Sequence, residues 1–508
     1  MPHRYFLLLL LIAATLSGCR LPQPISPPPT PSAPLPATPI RSTIIPSTST
    51  PATLIPSTLI PFTPTPSPSL RTLYDLQAEF DYYAHTLRVE QTIHYTNQTG
   101  IALPNLLLVI RPLDWAGSFQ LDSLTWENGS PIPDTETDGA LLHIPLTQPL
   151  EPGAQLGLQL SYRLSLPVIP SAASSQRPLP YGYTERQANL VDWYPYLPPY
   201  RPGEGWLAHP PAVTGEHLVY DIADYQVQFT LAQPVPGLVF AASAPAVQDG
   251  LTYSFSLPAA RAFTLSASPY YQVLTQTAGE TTVFSYFFPY NAAAGQAVLD
   301  ATAQALVLYN ELFGSYPRPS LSVVEADFQD GMEYSGLYFI SRTFYEWYDG
   351  TPRGYLTLIA AHETAHQWWF DQVGNDQALE PWLDEALCTY MELLFYERLD
   401  ALETPQGVQP LVDWWWYFRV DLYAPSGTLD GTIYDFTTFR TYRDAIYLRG
   451  AQFLETLRHD MGDEAFFAFL RTYATEMSGK QATAADFFRL LETYAGDVSG
   501  LREEYFSP

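Results

Sequence analysis

One run of five residues, His362-Glu363-Thr364-Ala365-His366, constrains this chain more than any other stretch. Its histidines stand four apart, so on a helix both imidazoles project from one face and can reach a single metal ion. The sequence from Gly354 to Phe370 predicts that helix, with Pro352 near its start. Two neutral imidazoles and a carboxylate make a zinc donor set that leaves one position for water. Eighteen residues separate His366 from Glu385, in Pro381-Trp382-Leu383-Asp384-Glu385, at the start of a second expected helix running to Arg398. A fold that brings these two helices together supplies His362, His366 and Glu385 to one zinc per chain. Glu363 is then placed to accept the water proton as a general base.

The rest of the body divides by periodicity. From 71 to 275 short apolar runs alternate with turn residues. Leu87, Val89, Ile93 and Tyr95 alternate with polar neighbours, and Asn97-Gln98-Thr99-Gly100 follows as a turn. This predicts an N-terminal all-β domain, sandwich- or saddle-like. Asn128-Gly129-Ser130 reads as another turn. From 276 to 508 the pattern is α+β. Val298, Thr302, Leu306, Tyr309 and Phe313 fall at helical spacing before Gly314, and Leu321–Val324 and Gly336–Ile340 read as strands.

The first 70 residues differ in kind. They hold no acidic residue, so all 52 Asp and Glu lie beyond them, in a chain of formal charge −28. Residues 1–18 read as a secretory signal, with His3-Arg4 before the apolar run Phe6–Ile12. Its end, Leu16-Ser17-Gly18-Cys19, resembles the lipobox of bacterial lipoproteins, which implies lipidation at Cys19. Residues 19–70 then form a Pro/Ser/Thr-rich tether, with Ile-Pro-Ser-Thr at 45–48 and again at 55–58. The expectation is an extracytoplasmic protein, lipid-anchored to the bacterial cell envelope membrane. No stretch is long and apolar enough for a transmembrane helix. The acidic balance excludes nucleic acid as a partner, because phosphate binding needs clustered cations. Two cysteines exclude a disulfide-stapled scaffold.

Over 71–508 the sequence resembles the gluzincin metallopeptidases that include membrane alanyl aminopeptidase and leukotriene hydrolase. The residues that carry the resemblance are the zinc motif and Trp382-Leu383-Asp384-Glu385, where Asp384 stands for the usual Asn. Gly331-Met332-Glu333 and Tyr447-Leu448-Arg449-Gly450 match it too. The resemblance implies a thermolysin-like catalytic domain over 276–508. It also implies that Glu333 pairs with the free α-amine of a peptide, with Gly331 and Met332 beside the substrate, and that Tyr447 stabilises the oxyanion. Tyr334 replaces the family's Asn. The family's large C-terminal helical domain is expected to have no counterpart after Tyr494, which would open the cleft.

The reading is a zinc metallopeptidase acting as an aminopeptidase on peptides with a free N-terminus. An open-cleft endo- or oligopeptidase and a non-catalytic peptide-binding lipoprotein are the alternatives. Cys388 is expected to be a buried inert thiol, Tyr442 a packing residue, and the oligomeric state is left open.

Overall fold

The computed structural model describes residues 70–170, 180–403 and 409–506. The expected signal segment 1–18 and tether 19–70, Cys19 included, lie outside the described residues except for Leu70.

The N-terminal part is all β. Its largest sheet has seven strands, in the order 247–249, 252–260, 223–231, 72–81, 86–96, 155–165 and 119–126. Side chains alternate across it as period-2 geometry requires. Tyr74, Leu76, Ala78 and Phe80 of one central strand face the core, as do Leu87, Val89, Ile93 and Tyr95 of its antiparallel neighbour. One polar residue, Gln91, points inward with them. Its amide donates to the Pro195 carbonyl at 2.7 Å and accepts from the Tyr162 hydroxyl at 3.0 Å, which offsets its desolvation. The two Asn-x-Ser/Thr stretches are turns. Asn97 Oδ1 accepts from the Thr99 N–H and Asn128 Oδ1 from the Ser130 N–H.

A second sheet of five strands follows, in the order 272–278, 281–287, 320–326, 337–341 and 331–334. Its first strand crosses position 275, so the sheets change hands between Ser268 and Gln272. Composition does not mark that point, because strands stand on both sides of it. The central strand Ser320–Ala326 is buried at every position, as one covered on both faces must be. Gly331–Tyr334 forms the edge, antiparallel to Leu337–Ser341.

Helices complete the domain. Ala292–Phe313 ends at Gly314, as its spacing predicts. The helix Tyr355–Ala365 is buried from Leu356 to Ala365, apolar nearly all round because it runs through the core. The helix Trp382–Glu403 packs beside it. Trp382 anchors the second helix, with its ring centroid 4.9–6.2 Å from those of Phe453, Phe487, Phe488 and Phe506. Trp382→Ala is expected to cost about 3–5 kcal/mol, the range for emptying a large buried aromatic site. Urea denaturation measures it, and a loss below about 1 kcal/mol would show that the cluster closes over the gap.

The two domains lie within one compact unit. A buried guanidinium from the β domain, Arg261, donates to the carbonyls of Tyr220, Asp371 and Lys480. Arg318 pairs with both Asp371 oxygens, at 2.5 and 2.6 Å, and Ser335 donates to the same carboxylate. The chain leaving the His366 turn is thereby fixed against the hairpin that carries Gly331–Tyr334.

Candidate metal centre and active site

The predicted ligands converge. Donor atoms of His362, His366 and Glu385 all lie within 4.8 Å of one another. Glu385 Oε2 is 3.1 Å from His362 Nε2 and 3.7 Å from His366 Nε2. The helix was expected to reach Phe370, but it ends at Ala365 with His366 as its cap. The early end has a consequence. The chain folds back, and the Trp369 carbonyl comes 3.0 Å from His366 Nδ1. His362 Nδ1 in turn meets Glu392 Oε1 at 2.9 Å. Each imidazole thus has Nδ1 occupied and Nε2 turned toward a common point, the arrangement that orients histidine for a metal.

Glu392 is itself clamped. Trp415 Nε1 and Arg419 Nε both donate to Oε2 at 3.0 Å, and Arg419 Nη2 donates to Oε1 at 3.0 Å. Sequence reasoning missed this clamp. Glu392 lies seven residues after Glu385, two turns along the same helix face, and that spacing was its one available signal. Arg419 carries no such signal, since only tertiary folding brings it there.

The remaining predicted residues surround the same point. A cavity of about 270 Å³ is lined by His362, Glu363, His366 and Glu385, together with Gly331, Glu333 and Tyr447. Glu363 is buried, and its Oε2 has no partner within the protein. Burial pushes its carboxyl well above the usual range, and the carboxylates of Glu333 and Glu385 add to the shift over the opposing pull of His362. Burial likewise holds His366 down to about 4, so its imidazole is neutral and free to ligate. A buried, orphaned carboxylate oxygen beside the His362 and His366 imidazoles and Glu385 fits a metal ion with a water on it. The hard–borderline N₂O donor set suits zinc.

Gly331 lets the edge strand approach this carboxylate. A Cβ there would sit 2.0 Å from Glu363 Oε1 and 2.8 Å from Ile359 Cγ2, so any side chain would displace that carboxylate. Glu333 is buried, and Gln377 Nε2 bridges it to Asp384, 2.9 Å from each carboxylate. Asn375 Nδ2 holds the other Asp384 oxygen at 3.2 Å. Met332 faces away from the metal site, into a second and larger cavity.

Tyr447 stacks parallel to His362, 5.9 Å between ring centroids, and its hydroxyl bonds to Glu385. It stands on a π-helical turn, Asp444–Leu448. Such turns re-aim side chains at functional sites and leave no mark in hydrophobic spacing. Tyr442 is buried with its ring 5.7 Å from that of Tyr447 and packs against it. Cys388 is buried and free.

Comparison with known proteins agrees with this construction. Residues 297–505 match the family model described as the Peptidase family M1 domain. Aminopeptidase M1-D of Oryza sativa subsp. japonica is 28% identical over 201 residues, which cover 38% of this chain and 23% of that protein. Aminopeptidase N of Lactobacillus delbrueckii subsp. lactis is 29% identical over 197 residues, covering 34% and 22%. The match thus spans about a quarter of the length of these relatives. An M1 zinc metallopeptidase of Deinococcus radiodurans superposes with a TM-score of 0.60 at 21% identity, over 85% of this chain and 93% of that one. Its complex with the substrate Tyr-Ser-Ala superposes equally well, over 86% and 94%. At that identity the likeness shows the fold, a β domain followed by a mixed peptidase domain. Matched domain, fold and donor set agree on a zinc metallopeptidase site with one catalytic zinc.

Proposed function

We propose that this chain is a zinc-dependent metallopeptidase and, more finely, an aminopeptidase that removes N-terminal residues from peptides outside the cytoplasm. The observation that carries the reading is that Glu333, Glu363 and Tyr447 line one cavity with His362, His366 and Glu385. His362, His366 and Glu385 would hold a zinc ion, which when bound would supply Lewis acidity toward the scissile carbonyl and a water of pKa lowered toward about 7. Glu363 takes the water proton and passes it to the leaving amine. Tyr447, beside Glu385, donates its hydroxyl to the carbonyl oxygen as charge builds there. Glu333, oriented by Gln377, pairs with the substrate ammonium. The outer edge of Gly331–Tyr334 receives the substrate backbone as an added strand.

A panel of aminoacyl anilides and N-acetylated peptides tests the reading. Free-amine substrates are expected to turn over, to stop with a chelator, and to resume on zinc addition. Faster cleavage of blocked peptides would remove the aminopeptidase claim and favour an endo- or oligopeptidase. Bound zinc without turnover of any peptide would favour a peptide-binding protein.

The cellular placement rests on sequence alone. We propose that Cys19 carries a lipid that anchors the chain to the cell envelope membrane. Among the described residues no helix is long and apolar enough to cross a membrane. Cys19→Ala is expected to move the protein from the membrane to the soluble fraction, and unchanged membrane partition would remove the anchor.

A further inference from the structure

Glu333 is aimed by a loop, and that loop is held from the other domain. Gln377 Nε2 stands 2.9 Å from Glu333 Oε1 and 2.9 Å from Asp384 Oδ2, so the direction of the Glu333 carboxylate depends on where residues 375–377 lie. They follow the turn after the zinc-motif helix and precede the helix Trp382–Glu403. The central residue of the three, Asp376, is fully buried. Its Oδ1 accepts from the backbone N–H groups of Ala378 and Leu379, at 3.2 and 3.1 Å, which folds the loop on itself. Its Oδ2 accepts from His209 Nε2 at 2.8 Å.

His209 comes from the β domain, on the connection between the strands Gly205–Trp206 and Ala223–Leu231. This connection is seated by more than one bond. Tyr434 donates its hydroxyl to the Pro210 carbonyl at 2.7 Å, and the Ile433 N–H donates to the Ala378 carbonyl at 3.0 Å. Gly215, at a φ of 74°, brings the connection so close to Ile433 that a Cβ would run into Ile433 Cγ2. One segment of the β domain and two of the peptidase domain thus close on one another around Asp376. A buried carboxylate that loses a donor keeps its desolvation cost and relaxes by moving toward water or another partner. Movement of Asp376 carries Gln377, its neighbour in the chain.

We infer that His209 is a positioning residue for the substrate amine: across the domain boundary it fixes Asp376, and through that loop it fixes Gln377 and the aim of Glu333. The inference rests on the aminopeptidase reading above, in which Glu333 pairs with the ammonium. His209 is not one of the residues lining either cavity beside Glu333, so it acts through the loop and touches no substrate. Small misplacements of a group that orients substrate are felt strongly, even when their origin is remote.

The experiment compares two inhibitors on the zinc-loaded full chain. One is leucine hydroxamate, and the other is 4-methylpentanehydroxamate, the same molecule without its amine. In the unmodified protein the first is expected to bind about tenfold tighter, the scale of one charge-assisted bond. His209→Ala is expected to raise the Ki of leucine hydroxamate by about tenfold and to leave the Ki of the desamino compound within about twofold, with zinc content unchanged. If that variant fails to fold, His209→Leu fills the site without a donor and is read in the same way. Gln377→Leu is expected to show the same selective loss. Adding His209→Ala to it is expected to lose nothing more, because both act through one contact. A loss shared equally by the two inhibitors, no loss at all, or additive losses in the double variant would overturn the inference and leave the aminopeptidase reading intact. Equal binding of the two inhibitors by the unmodified protein would show that the amine is not recognised, and would overturn both.

Discussion

Glu363→Gln is expected to lower kcat by about 10²–10⁴, the range that positioned acid–base groups contribute, while the purified protein keeps its zinc. The two halves of that expectation come from different atoms. The donors are His362, His366 and Glu385, and the Nδ1 atoms of the two imidazoles are held by Glu392 and the Trp369 carbonyl. None of these contacts involves the Glu363 side chain. Its Oε2 is buried without a protein partner, so its role in the site is toward the water rather than toward the framework. Glutamine keeps the volume beside Gly331 and removes the basic oxygen. Zinc stoichiometry by elemental analysis and single-substrate kinetics separate the two effects. Loss of zinc together with activity would mean that Glu363 is a structural member of the donor set. Retention of more than a tenth of the activity would remove it as the base.

The residues that converge on the candidate zinc site were legible in the sequence because their constraints are local. A spacing of four fixes His362 and His366 on one helix face whatever the surroundings, and Glu385 opens a helix that Pro381 and the acidic first turn announce. The alternation through Leu87–Tyr95 was legible for the same reason. What the sequence did not show depends on long-range packing or on small departures from regular geometry. The helix carrying the motif stops at Ala365 although Gln367–Phe370 continue the helical pattern, because the Trp369 carbonyl and the Arg261–Arg318–Asp371 cluster draw the chain into a turn. The Glu392–Arg419 clamp joins segments nearly thirty residues apart, and nothing near Arg419 announces it. Among the described residues, the carboxylates of Asp114, Asp192, Glu216 and Glu333 line the larger cavity although they stand on separate stretches of the chain. Charge counted along the chain gives only a total, and the fold decides where the excess is concentrated.

Tyr447→Phe is expected to lower kcat by about 10²–10³ with KM little changed, the usual loss when one donor to a developing oxyanion is removed. The substitution deletes one oxygen and leaves the ring, so stacking on His362 at 5.9 Å and the contact with Tyr442 persist. A ground-state role would read differently. If the hydroxyl serves only to hold Glu385, zinc affinity falls and added zinc restores the rate. If it stabilises the transition state, zinc occupancy is unchanged and saturating zinc restores nothing. Tyr442→Phe supplies the internal control. That ring is fully buried and its hydroxyl lies against Gly215, outside the cavity of the zinc donors, so kcat is expected to stay within about threefold while stability shifts by about 1 kcal/mol. A Tyr447→Phe enzyme with more than a third of the original kcat would reduce Tyr447 to the same packing role as its neighbour. The oxyanion donor would then have to be sought among the other groups lining that cavity, with Arg443, one helical turn before Tyr447, the first to test.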